Sequence, residues 1–193
     1  MFELLIVTAL CFFGAHSQVL NTGKCPKIES VQQDFDLNKY LGKWYEQEKY
    51  FTIFELDGRC ISATYSLADD GTVKVLNQQI DKLTNKTRSI EGSAKPQGDG
   101  KEAKLSVNFG NFGNLPIHID APYWILETDY VSYAVVWSCT DFGILSTKFA
   151  WILTRERNPP SEVLEKSHAV FDKFNLNKKS LQKTDQENCP EDI

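Results

Sequence analysis

The sequence predicts an all-β protein in which eight short antiparallel strands close into an up-and-down barrel, with one C-terminal α-helix packed outside. Two observations carry this. Between residues 44 and 155, alternating apolar and polar runs follow one another, separated by turn signals such as Asp69-Asp70-Gly71 and Gly98-Asp99-Gly100, and no helical run intervenes. Beyond them Val163, Leu164, Ser167, Val170, Phe171 and Phe174 fall on one stripe at helical spacing. Eight strands in unbroken succession form a meander, and a sheet of that size closes into a barrel wide enough for one small ligand.

The apolar run at residues 4–15 is too short to span a bilayer and is followed by the small residues Ala15 and Ser17. It reads as a secretory signal over residues 1–17, although its first residues carry Glu3 and no base. The remainder, 18–193, is expected to be one exported domain, and a chain of 193 residues is long enough for a sizeable core. Of five cysteines, Cys11 leaves with the signal. An even number in an exported chain implies two disulfides, and spacing alone leaves all three pairings of four cysteines open. With no C-x-x-C motif, a zinc cluster is not expected. The net charge of −5 without a Lys/Arg cluster argues against nucleic acid or an anionic membrane surface as primary partner.

Residues 18–33 are polar, contain Pro26 and read as an extended tail. Residues 36–41 suit one helical turn, since Asp36 is a capping type and Leu37, Tyr40 and Leu41 share a face. Gly42 then permits close approach of a ring or backbone, and Trp44, the first inward residue of the first strand, supplies a large apolar surface with one N–H to satisfy. Strands are expected over 44–51, 60–67, 73–80, 88–94, 103–109, 123–128, 132–139 and 148–155. Pro159-Pro160-Ser161-Glu162 starts the helix, with Ser161 the expected cap. Its polar face mixes Glu162, Glu165 and Asp172 with Lys166 and Lys173, which favours packing on the barrel over lying on a membrane. A short edge strand is expected at 181–184.

Three stretches, Gly42-x-Trp44, Thr128-Asp129-Tyr130 and Arg155, resemble the signature regions of the lipocalin family. The similarity continues through Gly23-Lys24-Cys25-Pro26, Tyr40-Leu41-Gly42-Lys43-Trp44-Tyr45-Glu46, Gly58-Arg59-Cys60-Ile61, Val73-Lys74-Val75-Leu76-Asn77-Gln78, Ala121-Pro122-Tyr123-Trp124-Ile125-Leu126 and Phe149-Ala150-Trp151-Ile152-Leu153, nearly the whole chain after residue 22. The resemblance implies disulfides Cys25–Cys139 and Cys60–Cys189. Trp44 and Arg155 are expected to meet at the barrel floor, the guanidinium over the indole and its other donors on carbonyls of the 128–130 turn.

Alternate residues of a strand share a face. If Arg155 points to the closed end, Leu153, Trp151 and Phe149 point inward; Ile61, Ala63, Tyr65 and Leu67 form one face, and Val73, Val75, Asn77 and Gln79 another. The candidate ligand-binding set is Tyr65, Val75, Asn77, Gln79, Tyr123, Ile125, Phe149 and Trp151. These side chains could equally fill the barrel. The resemblance favours a cavity, because Tyr65, Asn77, Tyr123 and Trp151 match pocket positions of the subgroup the chain is most similar to. Glu46 and Glu48 share the parity of Trp44, and Glu127 that of Tyr123; solvated rim or base positions are expected for these carboxylates.

Catalysis finds little support, since His16, His118 and His168 assemble no Ser/His/Asp or Cys/His arrangement, and no enzyme activity or cofactor is expected beyond a bound lipid or bilin. Apolar residues in the loops 50–54 and 110–120, among them Ile53, Phe54, Phe112, Leu115, Ile117 and Ile119, suggest a lid over the mouth or a transient membrane or lipoprotein contact, the lid being preferred. Asn85-Lys86-Thr87 is a glycosylation sequon in an exposed turn, and no spare thiol accompanies Cys139, so no intermolecular disulfide is expected. The expected function is extracellular binding and transport of a small hydrophobic molecule such as a fatty acid or sterol-like compound. The alternatives are carriage of a bilin pigment, a lipocalin-fold enzyme, or an interaction module with a filled barrel.

Overall fold

The computed structural model describes residues 20–110, 120–191 and 193. The expected signal peptide, His118, and the apolar residues Phe112 to Ile119 of the second mouth loop lie outside them.

Ahead of the barrel, the Asp36 carboxylate accepts from the backbone N–H groups of Asn38 and Lys39 and starts the one-turn helix α1, Leu37–Tyr40. Gly42, at φ 96°, turns the chain into the first long strand. The strands are β1 (Leu20–Thr22), β2 (Gly42–Tyr50), β3 (Gly58–Leu67), β4 (Val73–Asp81), β5 (Thr87–Pro96), β6 (Lys104–Asn108), β7 (Asp120–Thr128), β8 (Tyr133–Phe142), β9 (Leu145–Thr154) and β10 (Leu181–Lys183). From β2 to β9 each pairs antiparallel with the next, and β2 pairs with β9, which closes the eight-stranded barrel. The short β1 adds to β9 at residues 145–147, so part of the expected tail is strand. β10 adds to β2 at residues 48–50, where β2 has parted from β3.

Three bulges break the period of two. The register slips between Glu46 and Glu48, between Arg59 and Ser62, and between Ile125 and Glu127. An extra residue in one strand bends it and sends the following side chains to the other face. The inward set expected from parity therefore changes at each slip.

The helix α2, Ser161–Lys173, lies outside the barrel with Ser167, Val170 and Phe171 buried. Its cap is Pro160 instead of the expected Ser161, and no side chain caps it. Proline fixes the backbone entering the helix, so Ser161 is already helical. Tyr50, expected in a mouth loop, ends β2 facing this helix. Its ring centroid is 6.0 Å from that of Trp137 and 6.1 Å from that of Phe171, and its hydroxyl donates to the Asn177 carbonyl. Disulfides Cys25–Cys139 and Cys60–Cys189 join the flanking segments to the barrel.

Candidate functional site

The closed end of the barrel is built from the signature residues. Trp44 is fully buried, and its indole N–H donates to the Tyr40 carbonyl at 2.8 Å. The Arg155 guanidinium lies 3.7 Å from the centre of the Trp44 ring. Its Nε donates to Tyr130 O (2.9 Å), Nη1 to Lys43 O (3.0 Å) and Nη2 to Lys39 O (2.8 Å) and Tyr40 O (3.3 Å). A Cβ on Gly42 would stand 3.2 Å from Nη1, so the glycine accommodates both the positive φ and the guanidinium. Between β7 and β8, Asp129 Oδ1 accepts from the N–H groups of Val131, Ser132 and Tyr133, and Thr128 Oγ1 donates to Tyr133 O. These bonds fix the turn that presents Tyr130 O to Arg155. This end is a plug.

Above it lies a cavity of about 150 Å³. Of the predicted ligand-binding residues, Tyr65, Val75, Asn77, Tyr123, Phe149 and Trp151 line it, whereas Gln79 and Ile125 do not. Gln79 stands opposite the β3 bulge, where its amide packs on Gly58, and Ile125 is fully buried core. Leu67, expected on the inward face, is 52% exposed at the end of β3. The aromatic wall is a series of rings. Phe54 meets Phe149 at 5.9 Å between centroids, Phe149 meets Trp151 at 5.8 Å, and Trp151 meets Tyr123 at 6.5 Å. Phe54 sits on a single 3-10 turn, Ile53–Glu55, and is 43% exposed, so one of the expected lid residues does reach over the cavity.

Three phenols meet below this wall. Tyr123 Oη is 2.9 Å from Tyr40 Oη and 2.6 Å from Tyr65 Oη. Burial pushes the Tyr65 hydroxyl up to about 12 and raises Tyr40 and Tyr123 well above their ordinary value, so all three stay protonated at physiological pH.

Glu46 and Glu48 depart from the expectation of solvated positions, both being buried. Glu46 is 2% exposed and lines the cavity. Its Oε1 is 3.1 Å from Lys49 Nζ and accepts from the Thr184 hydroxyl. Lys49 Nζ also reaches Glu55 at 2.8 Å, and Glu55 lines the cavity too. Burial, reinforced by the charge of Glu55, pushes the Glu46 carboxyl up to about 8. For Lys49, burial disfavours the charge, but Glu46 and Glu55 more than offset this and hold its pKa above the ordinary value. Beyond the β2 bulge Glu48 faces outward, where it meets His168 of α2 at 2.8 Å. Beyond the β7 bulge Glu127 also leaves the interior, accepting from Tyr133 Oη and Lys173 Nζ. Parity had placed both inward; an inserted residue reversed each.

Glu55 went unpredicted as a lining residue because it lies in a loop, where no alternation marks an inward side. Two cavity-facing polar atoms among the described residues are buried without a partner, the Asn77 carboxamide oxygen and the Ser62 hydroxyl.

The family model of a lipocalin-like domain matches residues 35–186. The chain is 44% identical over 191 residues to apolipoprotein D of Macaca fascicularis, covering 97% of each. It is 31% identical to the Lazarillo protein of Schistocerca americana, covering 94% of this chain and 83% of that one. Among solved structures, lobster apocrustacyanin A1 superposes with a TM-score of 0.75 at 27% identity, covering 90% of this chain and 94% of that one. These relatives are lipocalins and not enzymes, in agreement with the lack of a catalytic arrangement in the sequence. With the closed eight-stranded barrel, the Trp44–Arg155 floor and the matched domain in place, the chain belongs to the lipocalin family.

Proposed function

We propose that this protein is an extracellular carrier that holds one small apolar molecule in the barrel. The observation that carries the reading is the cavity between the floor and Phe54, lined by aromatic and aliphatic side chains with a few polar groups. Its volume is below the roughly 300–1,000 Å³ of most ligand sites. The ligand therefore gains room by displacing Phe54, whose short turn is exposed and whose ring meets one aromatic neighbour among the described residues, Phe149, at a tilt of 52°. Export is supported by the two disulfides, which persist in an oxidising compartment. At the mouth end, Ile53, Leu56, Leu83, Phe142 and Ile144 are all exposed, an apolar rim suited to collecting the ligand from a lipid surface.

Titration of delipidated, oxidised protein with sterols, long-chain lipids and bilins, followed by tryptophan emission, tests the reading. Trp151→Ala should weaken every apolar ligand, since burial is worth about 25 cal/mol per Å². Asn77→Ala should weaken, by roughly 0.5–1.5 kcal/mol, only those with a polar group at that wall. Unchanged emission across all ligand classes would leave a filled barrel as the better description.

A further inference from the structure

The polar groups that face the cavity carry a charge pattern of their own. Two carboxylates, Glu46 and Glu55, line it, and among the described residues no Lys, Arg or His does. The cation nearest to them, Lys49, is held between the two. With both carboxylates ionised the three groups sum to one negative charge, and with Glu46 protonated they sum to zero. In neither state is a positive charge left to receive an anion. The Lys49 and Thr184 contacts of Glu46 fall on Oε1, in a side chain that is 2% exposed. Among the described residues Asn77 Oδ1 and Ser62 Oγ, both on the lining, are buried without a partner. Tyr65, Tyr123, Ser62 and Ser138 add hydroxyls to the lining, all of them uncharged.

From this geometry we infer that the cavity accepts the polar end of its ligand only in uncharged form, as in an apolar alcohol, and rejects a fixed anion. The inference rests on the reading of the barrel as the ligand site. A hydroxyl can donate to Asn77 Oδ1, which gains the partner it lacks, or to the Glu46 carboxylate on the same lining. An anion would be stripped of water beside two carboxylates with no unpaired cation, a penalty that good pairing alone offsets. A free fatty acid therefore enters as the neutral acid, and a bilin with ionised propionates is disfavoured.

The test compares 1-decanol with 1-decanesulfonate, which share a chain and differ in a charge that no physiological pH removes. Displacement of an apolar fluorescent probe from delipidated wild-type protein should show decanol bound at least about tenfold more tightly. Glu55→Gln and, separately, Glu46→Gln should narrow that ratio by raising sulfonate affinity. Glu55→Gln, at the edge of the mouth, keeps the test available if the buried Glu46→Gln fails to fold. Sulfonate binding within threefold of decanol in the wild type would overturn the inference, as would a ratio that neither glutamine variant alters. If decanol itself fails to bind, the carrier reading falls as well, an outcome distinct from equal binding of both probes.

Discussion

Removing the Arg155 guanidinium tests how much of the barrel's stability resides in its floor. Arg155→Ala deletes four hydrogen-bond contacts, to the carbonyls of Tyr130, Lys43, Lys39 and Tyr40, together with the stacking on Trp44. The stacking is worth about 1 kcal/mol at a half-buried site. The hydrogen bonds are worth roughly 0.5–1.5 kcal/mol each, at the lower end where the freed carbonyl regains water, as Lys39 O can. The sum is about 3 kcal/mol, or a melting temperature lower by roughly 6–12 °C for a domain of this size. Arg155→Lys should lose roughly half as much, because one ammonium cannot span carbonyls on α1, β2 and the β7–β8 turn. Urea unfolding of oxidised protein, followed by far-UV circular dichroism, measures this. A loss below about 1 kcal/mol for the alanine variant at an unchanged m-value would refute the view that the floor is fastened by this side chain.

Three further outcomes follow from the same structure. Glu46 has a folded pKa near 8 against an ordinary 4.5, so its contribution to stability is fully present below the ordinary value and is lost as pH rises through about 8. Thermal unfolding should accordingly weaken by up to a few kcal/mol between pH 5 and pH 9, and Glu46→Gln should flatten that profile; identical profiles for both proteins would contradict the assignment. Phe54→Ala should enlarge the cavity, tighten or speed uptake of bulky ligands and leave the unfolding free energy within about 1 kcal/mol of wild type, since the residue is already 43% exposed; slower uptake on stopped-flow would count against its role as a lid. Asn85 lies in the turn between β4 and β5, so protein secreted from a eukaryotic host should lose mass on removal of N-glycans, and Asn85→Gln should abolish the shift.

The features legible in the sequence were those whose physics is local. Asp36 caps because it precedes a helical turn; Gly42 is required by its own φ; Thr128-Asp129-Tyr130 folds on its own hydrogen bonds. The inward faces were legible only as far as the period of two held. An inserted residue leaves no mark in composition, so the parity that Glu48 shares with Trp44 and Glu127 with Tyr123 did not carry past the bulges. Alternation also gives a face and not a height. Ile125 shares the parity of Tyr123 but is packed into fully buried core, whereas Tyr123 meets the cavity. The Glu46–Lys49–Glu55 cluster joins a strand to a loop, and its third carboxylate contact, Thr184, comes from the far end of the sequence, a juxtaposition no spacing rule reaches.

The placement of β10 has a consequence for how the protein is made. Thr184 N–H donates to Gln47 O, Cys60 N–H to Asp185 O, and the Gln186 amide to the carbonyls of Glu46 and Ile61, so the seam between β2 and β3 is filled by a segment synthesised more than a hundred residues after them. The disulfides likewise join positions 114 and 129 residues apart. On a ribosome, β2 to β8 can emerge and pair in order, but the ring cannot close on β9, nor the seam on residues 181–189, until those residues have left the exit tunnel. Contacts of such long range make the final step slow relative to the pairing of neighbouring strands. Nascent chains halted before residue 181 should therefore display an open sheet edge at β2, the form of this protein most exposed to aggregation and most dependent on chaperones.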